Sequence, residues 1–199
     1  MADVVVGLTG YKGSGKDTLG KILVEDHGFT RVGLADAVKD AVYALNPIVE
    51  VETMAYPYES CCGSEVDVET EEIRVQYLVD TMGWDWTKNN VPEARRLLDA
   101  MGTKVGREMF GSDSWIKVAN ERIKQIDGNV VVTDVRFKNE RYLCDFVVRV
   151  NRRGAVLDPS LTSEVSVDSV PVEFEIGNHE DVRKLDSGAK LIVDYCQNF

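Results

Sequence analysis

The sequence predicts an α/β fold in which a mainly parallel sheet is covered by helices on both faces. Two observations lead to this prediction. Short β-branched apolar runs at 4–9, 129–134 and 146–150 have the composition of strands that are buried on both faces. Segments with helical periodicity alternate with these runs along the chain. Because such alternation joins strands through right-handed crossovers, we expect a parallel sheet with helices on both sides.

Length and composition limit the kind of protein. The chain has 199 residues with 44% hydrophobic content, which suits one sizeable core, so we expect a single domain over 1–199. The formal net charge of −11 disfavours a nucleic-acid polymer as partner but allows a small anion in a local basic pocket. No apolar run has the ~18 to 20 residues of a membrane span, and the N-terminus lacks the pattern of a signal peptide. We therefore expect no membrane partner and a cytoplasmic location. The cysteine and histidine spacing predicts neither a zinc site nor a disulfide framework.

The elements of the first half follow from periodicity and from turn residues. After the strand at 4–9, a helix is predicted from 17 to 27, and Gly28 is suited to end it. A second strand is predicted over 29–35. The helix expected over 36–45 is stopped by the Asn-Pro pair that follows it.

A long insertion is expected next. Residues 48–70 carry many acids without clear periodicity, which predicts an irregular segment. Helical periodicity returns over 71–83 and again over 92–102, where a proline suits the first helical position. We therefore expect a largely helical insertion over 48–112.

The second half returns to the alternation of helices and strands. The predicted elements are a helix at 113–126, strands at 129–134 and 146–150 around a short helix at 140–144, a final helix from Asn178 to about 185, and a last strand at 190–193. Residues 152–171 are polar and contain two prolines, so we expect a mobile connection there. Either this stretch or residues 48–70 is expected to act as a lid over the site.

The stretch GYKGSGK at 10–16 matches the pattern G-x-x-x-x-G-K. Glycines let the backbone curl its N–H groups around a phosphate, the lysine reaches the outer phosphate oxygens, and the following helix adds its positive dipole end. A strand precedes the motif and a helix follows it, as this mechanism requires. The motif therefore predicts an ATP-phosphate site, formed by Gly10, Lys12, Gly13, Ser14, Gly15, Lys16, Asp17 and Thr18. The alternative, a tight turn without a ligand, does not need three glycines and a lysine at this spacing.

The motif departs from the usual pattern in one place. Asp17 stands where Ser or Thr usually follows the lysine, and the hydroxyl comes one residue later at Thr18. The magnesium ligation of a switch GTPase therefore cannot be transferred to this chain. The N-K-x-D guanine signature is also absent, which disfavours a GTPase.

A second polar group follows the strand at 129–134. Asp134, Arg136 and Glu140 lie where the strand gives way to a helix. Ligands of open α/β sheets bind beyond the carboxyl ends of the strands, so these residues are expected to share a crevice with the phosphate loop. Asp134 is suited to the magnesium hydration shell or a substrate hydroxyl, and Arg136 to a phosphate. An Asp–Arg pair that only orders the strand end is the alternative.

Five motifs, in order along residues 4–151, resemble those of bacteriophage deoxynucleoside monophosphate kinases. They are GYKGSGKDT at 10–18, LADAVKDAV at 34–42, GWDWTK at 83–88, ARRLLDAMGTKVGREMFGSDSWI at 94–116 and TDVRFKNE at 133–140. The resemblance implies a P-loop three-layer sandwich and transfer of the ATP γ-phosphate to a deoxynucleoside monophosphate (dNMP), with Mg²⁺ as cofactor. It also implies that the insertion at 48–112 binds the monophosphate. Helical insertions often pair subunits, so a homodimer remains open.

The resemblance also implies roles for particular residues. The dNMP site would be lined by Lys39, Arg95, Arg96, Gly102, Thr103, Trp115, Asp134, Arg136 and Glu140, with Arg74 as a weaker candidate. Catalytic roles would fall to Lys16, Arg107 and Arg136, and metal binding, directly or through water, to Asp17, Thr18 and Asp134. Only one of Arg95 and Arg96 can face the site, because neighbouring helical residues point in different directions. Lys39 could equally be a solvated residue and Trp115 a core residue.

Beyond residue 151 the resemblance to this family becomes weaker. The family tends to show His-x-Ser-Glu where this chain has LTSE at 161–164. Arg149, Arg152 and Arg153 precede the polar connection and could contact ATP, as we predict for Arg152, or could be surface charge. Two other functions stay open: a P-loop kinase for another acceptor, of the dephospho-coenzyme A or phosphomevalonate type, and a regulatory ATPase.

Overall fold

The computed structural model of the protein describes residues 2–60, 63–152, 154, 166–178 and 183–198. The chain divides into two compact units, one formed by residues 1–37 with 111–199 and the other by residues 38–110. Across the described ranges, no helix combines the length and the apolar character needed to cross a membrane.

The strands and helices alternate along most of the chain. The strands are β1 (Ala2–Thr9), β2 (Thr30–Val32), β3 (Ile48–Ser60), β4 (Gly63–Arg74), β5 (Gly128–Val132), β6 (Phe146–Asn151) and β7 (Phe174–Gly177). The α-helices are α1 (Lys16–His27), α2 (Leu34–Leu45), α3 (Val75–Asn90), α4 (Pro92–Ala100), α5 (Ser114–Ile123) and α6 (Arg183–Cys196). A π-helical segment covers Met101–Met109, and 3₁₀ turns cover Lys138–Leu143 and Val167–Ser169.

The first unit is built on a five-stranded sheet with the order β2-β5-β1-β6-β7. Every neighbouring pair in this sheet is parallel, and β1 lies at its centre, where Val6 pairs with Val131 on one side and with Phe146 on the other. The chain leaves β1 toward one edge of the sheet and later crosses from β5 to β6 on the other side. The carboxyl end of β1 therefore lies where ligands bind in such sheets.

Helices cover both faces of this sheet, as the sequence predicts. Side chains that alternate along β1 point to opposite faces. On one face, Val6 and Leu8 belong to a core that includes Leu19 of α1 and Ile192 of α6. On the other face, Val5 belongs to a core with Ala119 and Ile123 of α5. The α/β three-layer prediction is confirmed.

The second unit contains an antiparallel hairpin and helices. β3 and β4 pair from Ile48 opposite Arg74 to Ser60 opposite Gly63. The end of α2 is tied to the start of α3, because the Gln76 side chain donates to the Tyr43 carbonyl at 2.9 Å. Among the described side chains of this unit, the buried apolar residues are Val38, Val42, Val49, Val75, Leu78, Val91, Ala94 and Leu98.

Two predictions of secondary structure are wrong. The irregular segment expected over 48–70 lies largely within the β3–β4 hairpin. Apolar and acidic residues alternate there, as in Val66-Asp67-Val68-Glu69, and the many charges conceal this strand period. The strand expected over 190–193 lies inside α6, because Leu185, Ala189 and Ile192 form a helical stripe that is almost fully buried. Burial of this stripe outweighs the strand preference of a short Leu-Ile-Val run.

Candidate phosphate site

The phosphate loop connects β1 to α1 through three glycines with positive φ. Gly10, Gly13 and Gly15 have φ values of 145°, 77° and 103°, which side chains with a Cβ rarely adopt. Space is also restricted at Gly10, where a Cβ would lie 2.5 Å from the carbonyl oxygen of Val150. The loop closes on itself, because the Ser14 N–H donates to the Tyr11 carbonyl at 3.1 Å. This backbone curl is the shape that the sequence predicts for holding a phosphate.

Lys16 opens α1 and is 8% exposed. Its Nζ lies 3.6 Å from Oδ2 of Asp17, whose side chain is 82% exposed. A lysine is seldom this buried unless it has an anionic partner. The Ser14 Oγ is also buried and has no hydrogen-bond partner among the described residues. Since buried polar groups are nearly always bonded, an unsatisfied hydroxyl beside a buried lysine fits a site that takes an anion.

Asp134 follows β5 at the same edge of the sheet as the phosphate loop. The backbone N–H groups of Leu34 and Ala35 donate to its two carboxylate oxygens at 2.8 and 2.9 Å. Asp134 therefore caps the N-terminus of α2, where a negative charge is favourable. The roles predicted for it toward the metal and the substrate remain predictions.

Glu140 is 4% exposed and also binds backbone groups. Its Oε2 accepts hydrogen bonds from the N–H groups of Arg136 and Phe137 at 2.7 and 3.0 Å. Glu140 therefore holds the turn that carries Arg136, whose side chain is half-buried. The predicted contact of Glu140 with the dNMP remains a prediction.

Arg31, the middle residue of β2, was not among the predicted site residues. Its Nη1 donates to Asp36 at 2.8 Å. Burial by itself lowers the pKa of the Arg31 guanidinium, but the hydrogen bond from Arg31 to Asp36 and nearby carboxylates outweigh this effect and raise the pKa. The carboxylates that act on it belong to Asp36, Asp134 and Asp17. No local pattern marks this arginine as a site residue, because Asp134 comes near it only through the pairing of β2 with β5.

Apart from Trp115 on α5, the other predicted acceptor residues lie in the second unit. Gly102, Thr103 and Arg107 all fall in the π-helical segment, a rare conformation that occurs frequently at functional sites. On α4, the guanidinium of Arg96 is bound to Glu93 by two hydrogen bonds of 2.6 and 2.7 Å. The remaining predicted residues, Lys39 and Arg95, are half-buried.

Arg95 differs from Arg96 in its contacts. Its side chain makes no hydrogen bond or ion pair with any residue in the described ranges. Of the two neighbouring arginines, Arg95 is therefore the better candidate for binding a ligand.

The arginines near the polar connection divide by location. Arg149 is a structural residue, since its Nη1 donates to Glu175 at 3.2 Å and its Nη2 to the carbonyls of Val167 and Val170. Arg152 is exposed. Arg153 and the stretch 161–164 lie outside the described residues, as does most of the lid predicted at 152–171. Trp115 on α5 is half-buried.

Side chains do not form a metal cage in the described part of the chain, where no three His, Cys, Asp or Glu residues are grouped closely enough to hold an ion. Mg²⁺ in phosphate-transferring sites is usually held by one or two protein oxygens together with substrate phosphates. The exposed Asp17 carboxylate and Thr18 hydroxyl at the start of α1 fit that kind of site.

Two curated proteins are similar to this chain over most of its length. One, from Acanthamoeba polyphaga mimivirus, is provisionally named a deoxynucleotide monophosphate kinase; it is 26% identical over 180 residues, covering 84% of this chain and 83% of the relative. The other is the deoxynucleoside-5'-monophosphate kinase of Escherichia phage T5, which is 25% identical over 175 residues, covering 69% of this chain and 70% of the relative. The chain resembles viral deoxynucleoside monophosphate kinases. The resemblance that the five motifs predict is thus confirmed.

No protein-family model matches the chain. Among solved structures, a dephospho-CoA kinase from Campylobacter jejuni aligns with a TM-score of 0.45 at 13% identity, covering 98% of this chain and 97% of that one. A gluconokinase from Sinorhizobium meliloti 1021 aligns with a TM-score of 0.44 at 13% identity, covering 99% and 98%. We assign the fold from the strand order and the phosphate loop described above.

Proposed function

We propose that this protein is a deoxynucleoside monophosphate kinase that transfers the γ-phosphate of ATP to a dNMP and releases ADP and a dNDP. The observation that carries the proposal is the phosphate loop, with its three left-handed glycines and its buried Lys16. The names of the two viral relatives support a nucleotide phosphotransferase and indicate a dNMP as acceptor.

The residues present suit phosphoryl transfer. Charge in the transition state lies on the equatorial phosphoryl oxygens, so the protein must mainly position the two substrates and stabilise charge. In our proposal the loop N–H groups and Lys16 bind the ATP phosphates, and Arg136 and Arg107 stabilise the transferred group. Mg²⁺ would be bound by the nucleotide phosphates with Asp17 and Thr18, and it would neutralise their charge.

The acceptor needs no general base. A phosphomonoester has a second pKa near ~6, so its oxygen is already ionised and nucleophilic at neutral pH. We propose that Lys39, Arg95 and the start of the π-helical segment bind the dNMP. Arg95 is preferred to Arg96, whose guanidinium is bound by Glu93.

A coupled assay of ADP release tests the proposal. ATP is supplied with dTMP, dGMP, dCMP or dAMP in turn, and with no acceptor as a further arm. We expect release that depends on at least one dNMP. ADP release that needs no acceptor would instead indicate a regulatory ATPase, and release only with dephospho-coenzyme A or phosphomevalonate would indicate another kinase.

Lys16→Met provides the matched test of the site. The substitution removes the charge that faces the phosphates, so we expect transfer to fall at least about 100-fold while the circular dichroism spectrum is retained. Lys190→Met, on the exposed face of α6, is the control and should keep full activity. A fully active Lys16→Met protein would contradict the proposed site.

A further inference from the structure

The outer side of the phosphate loop contacts a residue from the far end of the chain. Asn178, which directly follows β7, donates a hydrogen bond from its Nδ2 to the Ser14 carbonyl at 2.9 Å. The contact joins residues 164 positions apart. The backbone N–H of Asn178 in turn donates to the Asn151 carbonyl at 2.6 Å, which fixes this residue to the end of β6.

This hydrogen bond sets the direction of a neighbouring donor. The peptide group between Ser14 and Gly15 is planar and trans, so the Gly15 N–H points away from the Ser14 carbonyl. Because Asn178 holds that carbonyl on the outer side of the loop, the Gly15 N–H is directed to the opposite side. In a G-x-x-x-x-G-K loop, that inner side is where the phosphate lies.

The same residue accounts for the glycine at position 15. A Cβ there would lie 2.3 Å from the Asn178 Nδ2, far inside van der Waals contact. The φ of 103° at Gly15 also favours glycine. Asn178 and the loop therefore fit each other closely.

A second, more exposed contact joins the loop to the segment before β7. The Tyr11 hydroxyl donates to Asp168 Oδ2 at 2.5 Å, and Asp168 belongs to the 3₁₀ turn before β7. Because this bond is open to water, which can replace it, we expect it to matter less than the bond to the buried Ser14.

We propose that Asn178 is a positioning residue for nucleotide binding: its amide holds the Ser14 carbonyl and thereby aims the Gly15 N–H at the ATP phosphates. The inference deepens the proposed function and rests on it for the identity of the ligand. Asn178 does not touch the phosphate in this arrangement but acts through the loop.

Asn178→Asp provides a near-isosteric test. The introduced carboxylate keeps the volume of the side chain but replaces the donor with an acceptor that faces a carbonyl oxygen. We expect the Kd for MgADP, measured by titration calorimetry without an acceptor, to rise about tenfold or more, because repulsion between the new carboxylate and the Ser14 carbonyl turns the Gly15 N–H away from the phosphate. Asn178→Ala removes the donor without adding repulsion and should raise the Kd about threefold.

The control is Asn198→Ala, which removes a similar amide-to-carbonyl bond, from Nδ2 to Asp194 at 2.7 Å, at the exposed end of α6. This variant should bind MgADP like the wild type. In the coupled assay, Asn178→Asp should raise the KM for ATP and leave the KM for the dNMP unchanged, a separation that general destabilisation would not produce.

The outcomes distinguish this inference from the proposed function. A wild-type protein that binds MgADP but phosphorylates no dNMP contradicts the proposed function and leaves the binding comparison valid. Wild-type affinity in folded Asn178→Asp and Asn178→Ala proteins would overturn the positioning role. Should Asn178→Asp melt below the assay temperature, the Asn178→Ala protein decides the question by itself.

Discussion

Asp134→Ala should destabilise the first unit, because it removes the cap of α2. The carboxylate accepts two backbone hydrogen bonds, from Leu34 at 2.8 Å and from Ala35 at 2.9 Å. Leu34 is 5% exposed, so its N–H would be left unsatisfied at a cost of about 2 kcal/mol. Ala35 is exposed, and water can replace its bond, which limits that loss to about 0.5 kcal/mol.

The sum, about 2.5 kcal/mol, corresponds to a fall in Tm of about 7 °C for a chain of this size. Asp134→Asn keeps one acceptor oxygen for Leu34 and should lose only about 3 °C. Thermal unfolding followed by circular dichroism gives both values. Asp26→Asn is the control, because Asp26 is exposed on α1 and makes no hydrogen bond or ion pair with the described residues.

The alternative role of Asp134, as a metal ligand, makes a different prediction. A ligand of Mg²⁺ would show unchanged Tm in the Asp134→Ala protein and a higher Mg²⁺ concentration for half-maximal activity. That pair of results would refute the capping argument. A lowered Tm with an unchanged Mg²⁺ requirement would support it.

Two further predictions concern an arginine pair and a thiol. Arg95→Ala should raise the KM for the dNMP at least about tenfold, because it removes a guanidinium proposed to bind the phosphate. Arg96→Ala breaks only the bond to Glu93 and should change this KM less than about twofold. Steady-state kinetics measure both values, and a larger effect of Arg96→Ala than of Arg95→Ala would contradict the assignment. Burial raises the pKa of the Cys144 thiol to about 12, so about one molecule in ten thousand carries the thiolate at pH 8. Iodoacetamide should therefore modify Cys144 only after unfolding in urea, as peptide mass spectrometry can show; rapid labelling of the native protein would disprove its burial.

Much of the fold could be predicted because its signals are local. The central strands are uninterrupted β-branched runs, and the turn into α1 carries its own glycines and lysine. Gly28 ends α1 as predicted, with a φ of 71° and its N–H donated to the Leu23 carbonyl. Each of these features depends on the conformational preferences of a few neighbouring residues.

The errors arose where local and long-range effects compete. β7 is only four residues long, and its alternation of Phe174 and Ile176 with Glu175 and Gly177 is too short to indicate a strand by itself. It forms by parallel pairing with β6. The Leu-Ile-Val run at 191–193 favours a strand locally. It is helical because Leu185, Ala189 and Ile192 bury one stripe against the sheet.

The sequence by itself determined the phosphate loop and the parallel sheet, since backbone conformation at glycines and apolar periodicity are properties of short segments. The tertiary structure decided the partners of the site residues: Asp134 meets the N-terminus of α2, Arg31 lies among three carboxylates, and Asn178 holds the Ser14 carbonyl. These contacts join residues about a hundred or more positions apart in two of the three cases. The two long-range contacts exist only because the order of the strands in the sheet brings distant segments of the chain to one edge.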